Sequence, residues 1–212
     1  MIVTTQKPLD EILDFISNST SILITGCDGC TQPPRGLREA KTLAQLLELG
    51  GKLRNKDFTF KVTTLAKQCD SYLTASMLKP QTEGVEAVLS LACGIGVQTL
   101  AELFGVPVFP AQNTHFMGAE DREQGFLVEM CSGCGECRLG LTGGICPVTR
   151  CTKGLLNGAC GGSKNGKCEL DPERDCGWVL IYEQLKKLGK LDNLKEFQPP
   201  RDYQLTGWKI TT

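Results

Sequence analysis

Twelve cysteines and a single histidine, His115, occupy this chain of 212 residues, and that inventory bounds the chemistry before any element is placed. With one imidazole in the whole chain, mixed Cys/His zinc sites and Cys-His nucleophilic pairs are almost excluded by inventory. No carboxylate pair, Ser/His/Asp arrangement or flavin motif is recognisable either. A cytosolic chain cannot keep so many cysteines as stable disulfides, because that compartment holds thiols reduced. Metal bound mainly by sulfur is the expectation that remains.

Eight cysteines crowd into one block: Cys131, Cys134, Cys137, Cys146, Cys151, Cys160, Cys168 and Cys176. The first three form C-x2-C-x2-C, whose short loops can set three thiolates on three irons of one cuboidal cluster. Cys146 precedes Pro147, like the Cys-Pro that ends a bacterial ferredoxin run, although eight residues intervene here instead of three. In that run the Cys-Pro thiolate serves the other cluster, and by the same logic Cys146 belongs to a second site. Eight thiols are what two 4Fe-4S clusters need, with structural zinc as the alternative. Ten glycines between Cys131 and Cys168 let backbone N–H groups approach sulfur. Arg138, Arg150, Lys153, Lys164 and Lys167 offer charge compensation, although each taken singly reads as a solvated loop cation.

The other four cysteines, Cys27, Cys30, Cys69 and Cys93, are spread through the first half, and the elements around them explain how they could meet. Helical spacing runs over Pro8 to Ile16 and from Gly36 to Leu53, with further helices expected over Asp70 to Leu78 and Val97 to Phe104. Between them lie strand-like runs at Ile22 to Ile24, Phe58 to Leu65, Val85 to Ala92 and Val106 to Phe109. Alternating strands and helices predict an α/β domain over residues 1–118, with a Rossmann- or flavodoxin-like, mainly parallel sheet of about four strands. Residues 119–212 then form a small, loop-dominated, cysteine-rich ferredoxin-like domain with a C-terminal helix and tail.

Ligands of open α/β sheets bind at the carboxyl ends of the strands. Cys27 and Cys30 follow the first strand, Cys69 the second and Cys93 the third, so four thiols are expected on one edge. Such a set suits zinc or a third 4Fe-4S cluster. The competing reading makes Cys69 and Cys93 ordinary small buried residues. A nucleotide is the weaker occupant. Gly94 and Gly96 are followed by Thr99 where a dinucleotide fingerprint has its third glycine, and GCDGC at residues 26–30 lacks the Lys and Ser/Thr of a P-loop.

Near the end, WVLIYEQLKKLG sets Trp178, Ile181, Leu185 and Leu188 on one helical face, with Gly189 as its stop. The stripe reads as core, and Trp178 and Tyr182 take no redox role from it. FQPPRDYQLTGWKITT reads as a tail that orders on a partner or as a surface strap. The net charge of −1 gives no footprint for nucleic acid or an anionic membrane. The first residues lack an apolar signal region, and no stretch reaches the roughly 18 apolar residues of a membrane span, so a cytoplasmic location is expected.

The segment CPVTRCTKGLLNGACGGSKNGKCELDPERDCGWVLIYEQLKKLGKLDNL closely resembles the cysteine-rich C-terminal domain of methylenetetrahydrofolate reductases. Taken with ITGCDGC, ACGIGVQ and NTHFMG upstream, it is similar to the small iron-sulfur subunit family of the enzyme from acetogenic and related anaerobic bacteria. The resemblance implies an electron-transfer subunit, with Cys131, Cys134, Cys137, Cys146, Cys151, Cys160, Cys168 and Cys176 as cluster ligands. It also implies a flavin-containing large subunit of barrel fold that binds the folate. An upstream donor is implied too, whether ferredoxin, an NADH-linked module or a heterodisulfide-reductase-like one. One departure is TQPPRG at residues 31–36, where relatives carry a third cysteine. A zinc-stabilised scaffold module of a larger redox complex is the alternative role.

Overall fold

The computed structural model describes residues 1–203. The chain divides into two compact units, Met1–His115 and Phe116–Thr212.

The first unit contains β1 (Ile2–Gln6), α1 (Leu9–Phe15), β2 (Ser21–Cys27), β3 (Thr31–Gln32), α2 (Leu37–Leu53), β4 (Thr59–Leu65), α3 (Ser71–Leu78), β5 (Ala87–Ser90), α4 (Gly94–Leu103) and β6 (Val108–Pro110). Strand β7 (Gln112–Asp121) starts in this unit. Four strands form an all-parallel sheet in the order β4-β2-β5-β6, with Ile22 opposite both Phe60 and Ala87. This is the strand order of a flavodoxin-like doubly wound sheet, which reverses direction between β2 and β5. The middle of each central strand is an unbroken apolar run, residues 22–24 in β2 and 87–89 in β5, as burial on two faces requires. Ile22, Ile24 and Leu89 pack against Ile12 and Ile16 of the α1 region and against Leu43 and Leu47 of α2. Leu23 and Val88 point to the opposite layer and pack with Leu78 and Leu100.

Local chemistry sets the helix ends. The Glu39 carboxylate accepts the Gly36 N–H at 3.0 Å to open α2, and Asp70 accepts the Leu73 N–H at 3.1 Å to open α3. Helix α4 begins at Gly94, three residues before the start that periodicity predicts. Strand β1 has no counterpart among the predicted elements. It pairs in parallel with β3, Ile2 opposite Thr31, and has β7 as its other neighbour.

In the second unit, β7 pairs antiparallel with β8 (Phe126–Cys131), Ala119 opposite Val128. There follow α5 (Pro147–Arg150), the short hairpin β9 (Lys167–Cys168) and β10 (Asp171–Asp175), and α6 (Gly177–Lys187). Its buried core is small: Cys176, Trp178, Ile181 and Leu185, flanked by Ile145, Cys151, Leu155 and Val179. The Trp178 indole N–H donates to the Leu155 carbonyl at 2.9 Å. Leu188 departs from the predicted stripe: α6 ends at Lys187, and Leu188 is 51% exposed. Gly189, at φ +65°, makes the left-handed turn that stops the helix.

Past α6 the chain folds back as a strap over its own unit. Asn157 and Gln198 exchange two hydrogen bonds, at 2.8 and 2.7 Å. The predicted tail beyond Tyr203 lies outside the described residues. Among those residues, no helix is long and apolar enough to cross a membrane.

Candidate functional site

All twelve cysteines are free thiols, and the two groups sit in different surroundings. In the first unit Cys27 ends β2, Cys69 lies in the loop after β4, and Cys93 is the N-cap of α4 just after β5. Because the three strands are parallel, the three cysteines share the carboxyl edge of the sheet. Cys27 and Cys93 are buried, at 8% and 6% exposure. Partial burial pushes the Cys69 thiol above its ordinary value, and nearby Cys93 and Cys27 add to the rise. Cys30 stands differently. Like Cys69 it is exposed, but it lies in the turn beyond β2, where its carbonyl accepts the Ile2 N–H at 2.8 Å as the chain enters β3.

Between the ends of β2 and β5 lies a residue that the sequence reading passed over. Gln68 is completely buried. Its amide nitrogen donates to the carbonyls of Gly26 and Thr25 at 2.6 and 3.0 Å, and its oxygen accepts the Ser90 hydroxyl at 2.7 Å. The Ser90 hydroxyl in turn accepts the Ala92 N–H at 3.1 Å. Gly26, Gln68 and Ala92 are the residues immediately before Cys27, Cys69 and Cys93. The only sequence signal was a polar residue at a strand's carboxyl end, which has no periodicity or motif to announce it.

The turn after β2 is equally constrained. A Cβ on Gly26 would meet the backbone C and O of Gly36 at 2.7 Å, so glycine is required for the two segments to touch. The Asp28 carboxylate accepts the Thr64 hydroxyl at 2.7 Å, tying the turn to β4. His115 is exposed, and its Nε2 lies 2.7 Å from the Thr5 hydroxyl.

In the second unit, Cys151, Cys160, Cys168 and Cys176 all line one small cavity, together with Lys153 and Glu169. Backbone and hydroxyl groups address these sulfurs. The Gly162 N–H reaches Cys160 Sγ at 3.5 Å, and the Thr152 hydroxyl lies 3.3 Å from Cys168 Sγ. The Thr152 contact, followed by the Leu170 amide, holds the Cys168 thiol below its ordinary value. Cys176 is the N-cap of α6, where the partial positive end of the helix favours negative charge.

Cys131 closes β8, and the Gly133 N–H donates to its sulfur at 3.4 Å from a left-handed glycine turn, φ +65°. Cys146 caps α5, whose Thr149 hydroxyl donates to the Met130 carbonyl at 3.3 Å, beside Cys131. Of the cations singled out by sequence, Lys153 pairs with Glu169, Lys167 with Asp175 and Arg138 with Glu136. They balance carboxylates first. A separate cavity of about 310 Å³ lies between α6 and the strap, lined by Leu141, Leu156, Trp178, Tyr182 and Leu194.

Among the described residues, no group of three or more His, Cys, Asp or Glu side chains stands arranged to hold a metal ion. The donor set is nevertheless the right one in kind and number. The cavity of the second unit has four thiols, no imidazole and one carboxylate that is already paired with a lysine. A four-thiolate centre asks for that composition.

Residues 109–204 match the family model described as methylene-tetrahydrofolate reductase C terminal. The match takes in all eight distal cysteines and leaves out Cys27, Cys30, Cys69 and Cys93. No curated protein and no solved structure matches the chain.

Proposed function

We propose that this chain is the electron-transfer subunit of a methylenetetrahydrofolate reductase complex, relaying single electrons to the flavin of a folate-binding partner. The observation that carries the reading is the set of four cysteines around one cavity, inside a segment related to that enzyme's C-terminal family. Cys151, Cys160, Cys168 and Cys176 would hold one 4Fe-4S cluster. Cys131, Cys134 and Cys137 would hold the other, with Cys146 as fourth ligand, because α5 is tied to the end of β8. The ferredoxin analogy gives the other grouping, with Cys146 serving a different cluster from the C-x2-C-x2-C run.

A bound cluster of this type accepts and releases one electron at a time. The chain's own residues prepare for it by stabilising sulfur charge. Gly133 and Gly162 aim N–H groups at Cys131 and Cys160, and Thr152 approaches Cys168. Contacts of that kind favour the thiolate and tune the potential of whatever it ligates. The upstream donor would be ferredoxin, an NADH-linked module or a heterodisulfide-reductase-like one. At the sheet edge, Cys27, Cys69 and Cys93, with Cys30 from the exposed turn, would hold zinc or a third cluster.

Iron, acid-labile sulfide and zinc are counted per chain after anaerobic purification. About eight irons with matching sulfide, and visible absorbance that bleaches on reduction, are expected. About twelve irons would assign a cluster to the sheet edge, and about eight irons with one zinc would assign zinc there. Zinc with negligible iron would overturn the relay and leave a zinc-stabilised scaffold module.

A further inference from the structure

We infer that Gln68 is the positioning residue of the sheet-edge thiols, holding Cys27, Cys69 and Cys93 as one unit for a thiophilic metal ion. The inference rests on the reading of these three cysteines as ligands and goes beyond it by naming what aligns them.

The three cysteines come from three different loops, and loops drift unless something couples them. Gln68 supplies the coupling from a fully buried position. Its nitrogen holds the carbonyls of Thr25 and Gly26, which fixes the last step of β2 before Cys27. Its oxygen holds Ser90, whose hydroxyl fixes the Ala92 N–H one residue before Cys93. Its own carbonyl accepts the Thr74 hydroxyl at 3.0 Å, which anchors the residue before Cys69 to α3. The side chain thus ties the residues leading to Cys27 and Cys93 to position 68, and the main-chain carbonyl of the same residue ties the approach to Cys69 to α3.

Packing enforces the same arrangement. A Cβ on Gly96, in the first turn of α4, would stand 2.7 Å from the Ala92 Cβ and 3.0 Å from the Gln68 Cβ. Glycine there lets the helix that Cys93 caps close directly onto the glutamine. A leucine at position 68 would fill similar space but hold none of the loops, so the amide's four hydrogen-bonding positions, not its bulk, explain its presence.

The test uses the full chain, reduced and metal-free, with zinc ion as the probe. Peptide-resolved iodoacetamide labelling reads the protection of each cysteine. In the wild type, zinc protects Cys27, Cys69 and Cys93 over one common concentration range. In Gln68→Ala and in Ser90→Ala the midpoint for these three rises by about tenfold or more, the usual effect of removing an outer-sphere partner. The distal eight cysteines keep their wild-type midpoints. Leu78→Ala, a buried core truncation in the same unit, serves as the control for general loosening and leaves the midpoint where it was. Where Gln68→Ala does not accumulate as folded protein, Ser90→Ala, which removes a single link, decides the matter.

Wild-type midpoints in both network variants overturn the positioning role while the ligand reading stands. An equal shift in Leu78→Ala overturns it as well, since the effect would then be loosening. Absent or mutually independent protection in the wild type defeats the ligand reading itself.

Discussion

The Ser90 hydroxyl donates to Gln68 Oε1 at 2.7 Å while accepting the Ala92 N–H at 3.1 Å, so one hydroxyl joins β5, the loop after β4 and the lead-in to α4. Both residues are fully buried. Unmatched polar groups left in such a place cost far more than the bonds contribute net.

Replacing Gln68 by Leu would take the closest partner from the Gly26 carbonyl and leave the Ser90 O–H without its acceptor in the core, while the Thr25 carbonyl keeps the Leu91 N–H at 3.0 Å. A loss of about 3 kcal/mol in unfolding free energy is expected, within the range for buried groups left unsatisfied. Urea titration followed by far-UV circular dichroism checks it, and a loss under about 1 kcal/mol would mean that water reaches these groups.

Gly26→Ala forces a methyl group against the Gly36 and Arg35 backbone, at 2.7 and 2.8 Å from the ideal Cβ. Backbone cannot swing aside like a flexible side chain. Destabilisation of about 2 kcal/mol is expected, together with faster alkylation of Cys27 as the turn opens.

At the opposite edge of the parallel sheet, the Glu86 carboxylate receives the Thr20 N–H, the Ser21 N–H and the Thr20 hydroxyl. The Thr20 amide, then the Ser21 amide, hold its pKa below the ordinary carboxylate value. A depressed folded pKa contributes stability above the unfolded value of about 4.3, and that contribution is lost as pH falls through the lower folded value. Glu86→Gln should therefore lower Tm at pH 7 and decline less steeply on acidification than the wild type. Parallel Tm-against-pH curves for the two proteins would contradict this.

The second unit buries few large side chains, so loss of the clusters proposed for it should cost it more order than the first unit loses. In protein that carries the proposed clusters, acid release of iron is expected to reduce the near-UV tryptophan signal, to which Trp178 contributes, while the parallel sheet keeps its far-UV signature. Ile181→Ala, at a fully buried position, should lower the stability of this unit by about 2 to 5 kcal/mol even in the metal-loaded protein.

Alternation carried the first unit a long way. The run Gly36 to Leu53 maps onto α2, Phe58 to Leu65 onto β4 and Asp70 to Leu78 onto α3, because each element buries a regular apolar face. Strand β1 and the β7–β8 pair were not legible. Their exposed and half-buried positions mix polar with apolar residues, so neither period stands out. Cysteine identity was plain in the sequence, but neither the ring of Cys151, Cys160, Cys168 and Cys176 nor the Gln68 knot was. Both depend on contacts between loops, and loops carry no period.

A sheet that reverses its strand order between β2 and β5 ordinarily leaves a crevice there for a visiting cofactor. Here that seat is taken by the chain's own amide, with partners on both flanking strands. A dinucleotide or flavin phosphate would have to evict an internal tenant whose bonds are already complete. The architecture has been turned from hospitality to self-occupancy, with Cys27 and Cys93 buried beside that amide and Cys69 alone of the three open to solvent.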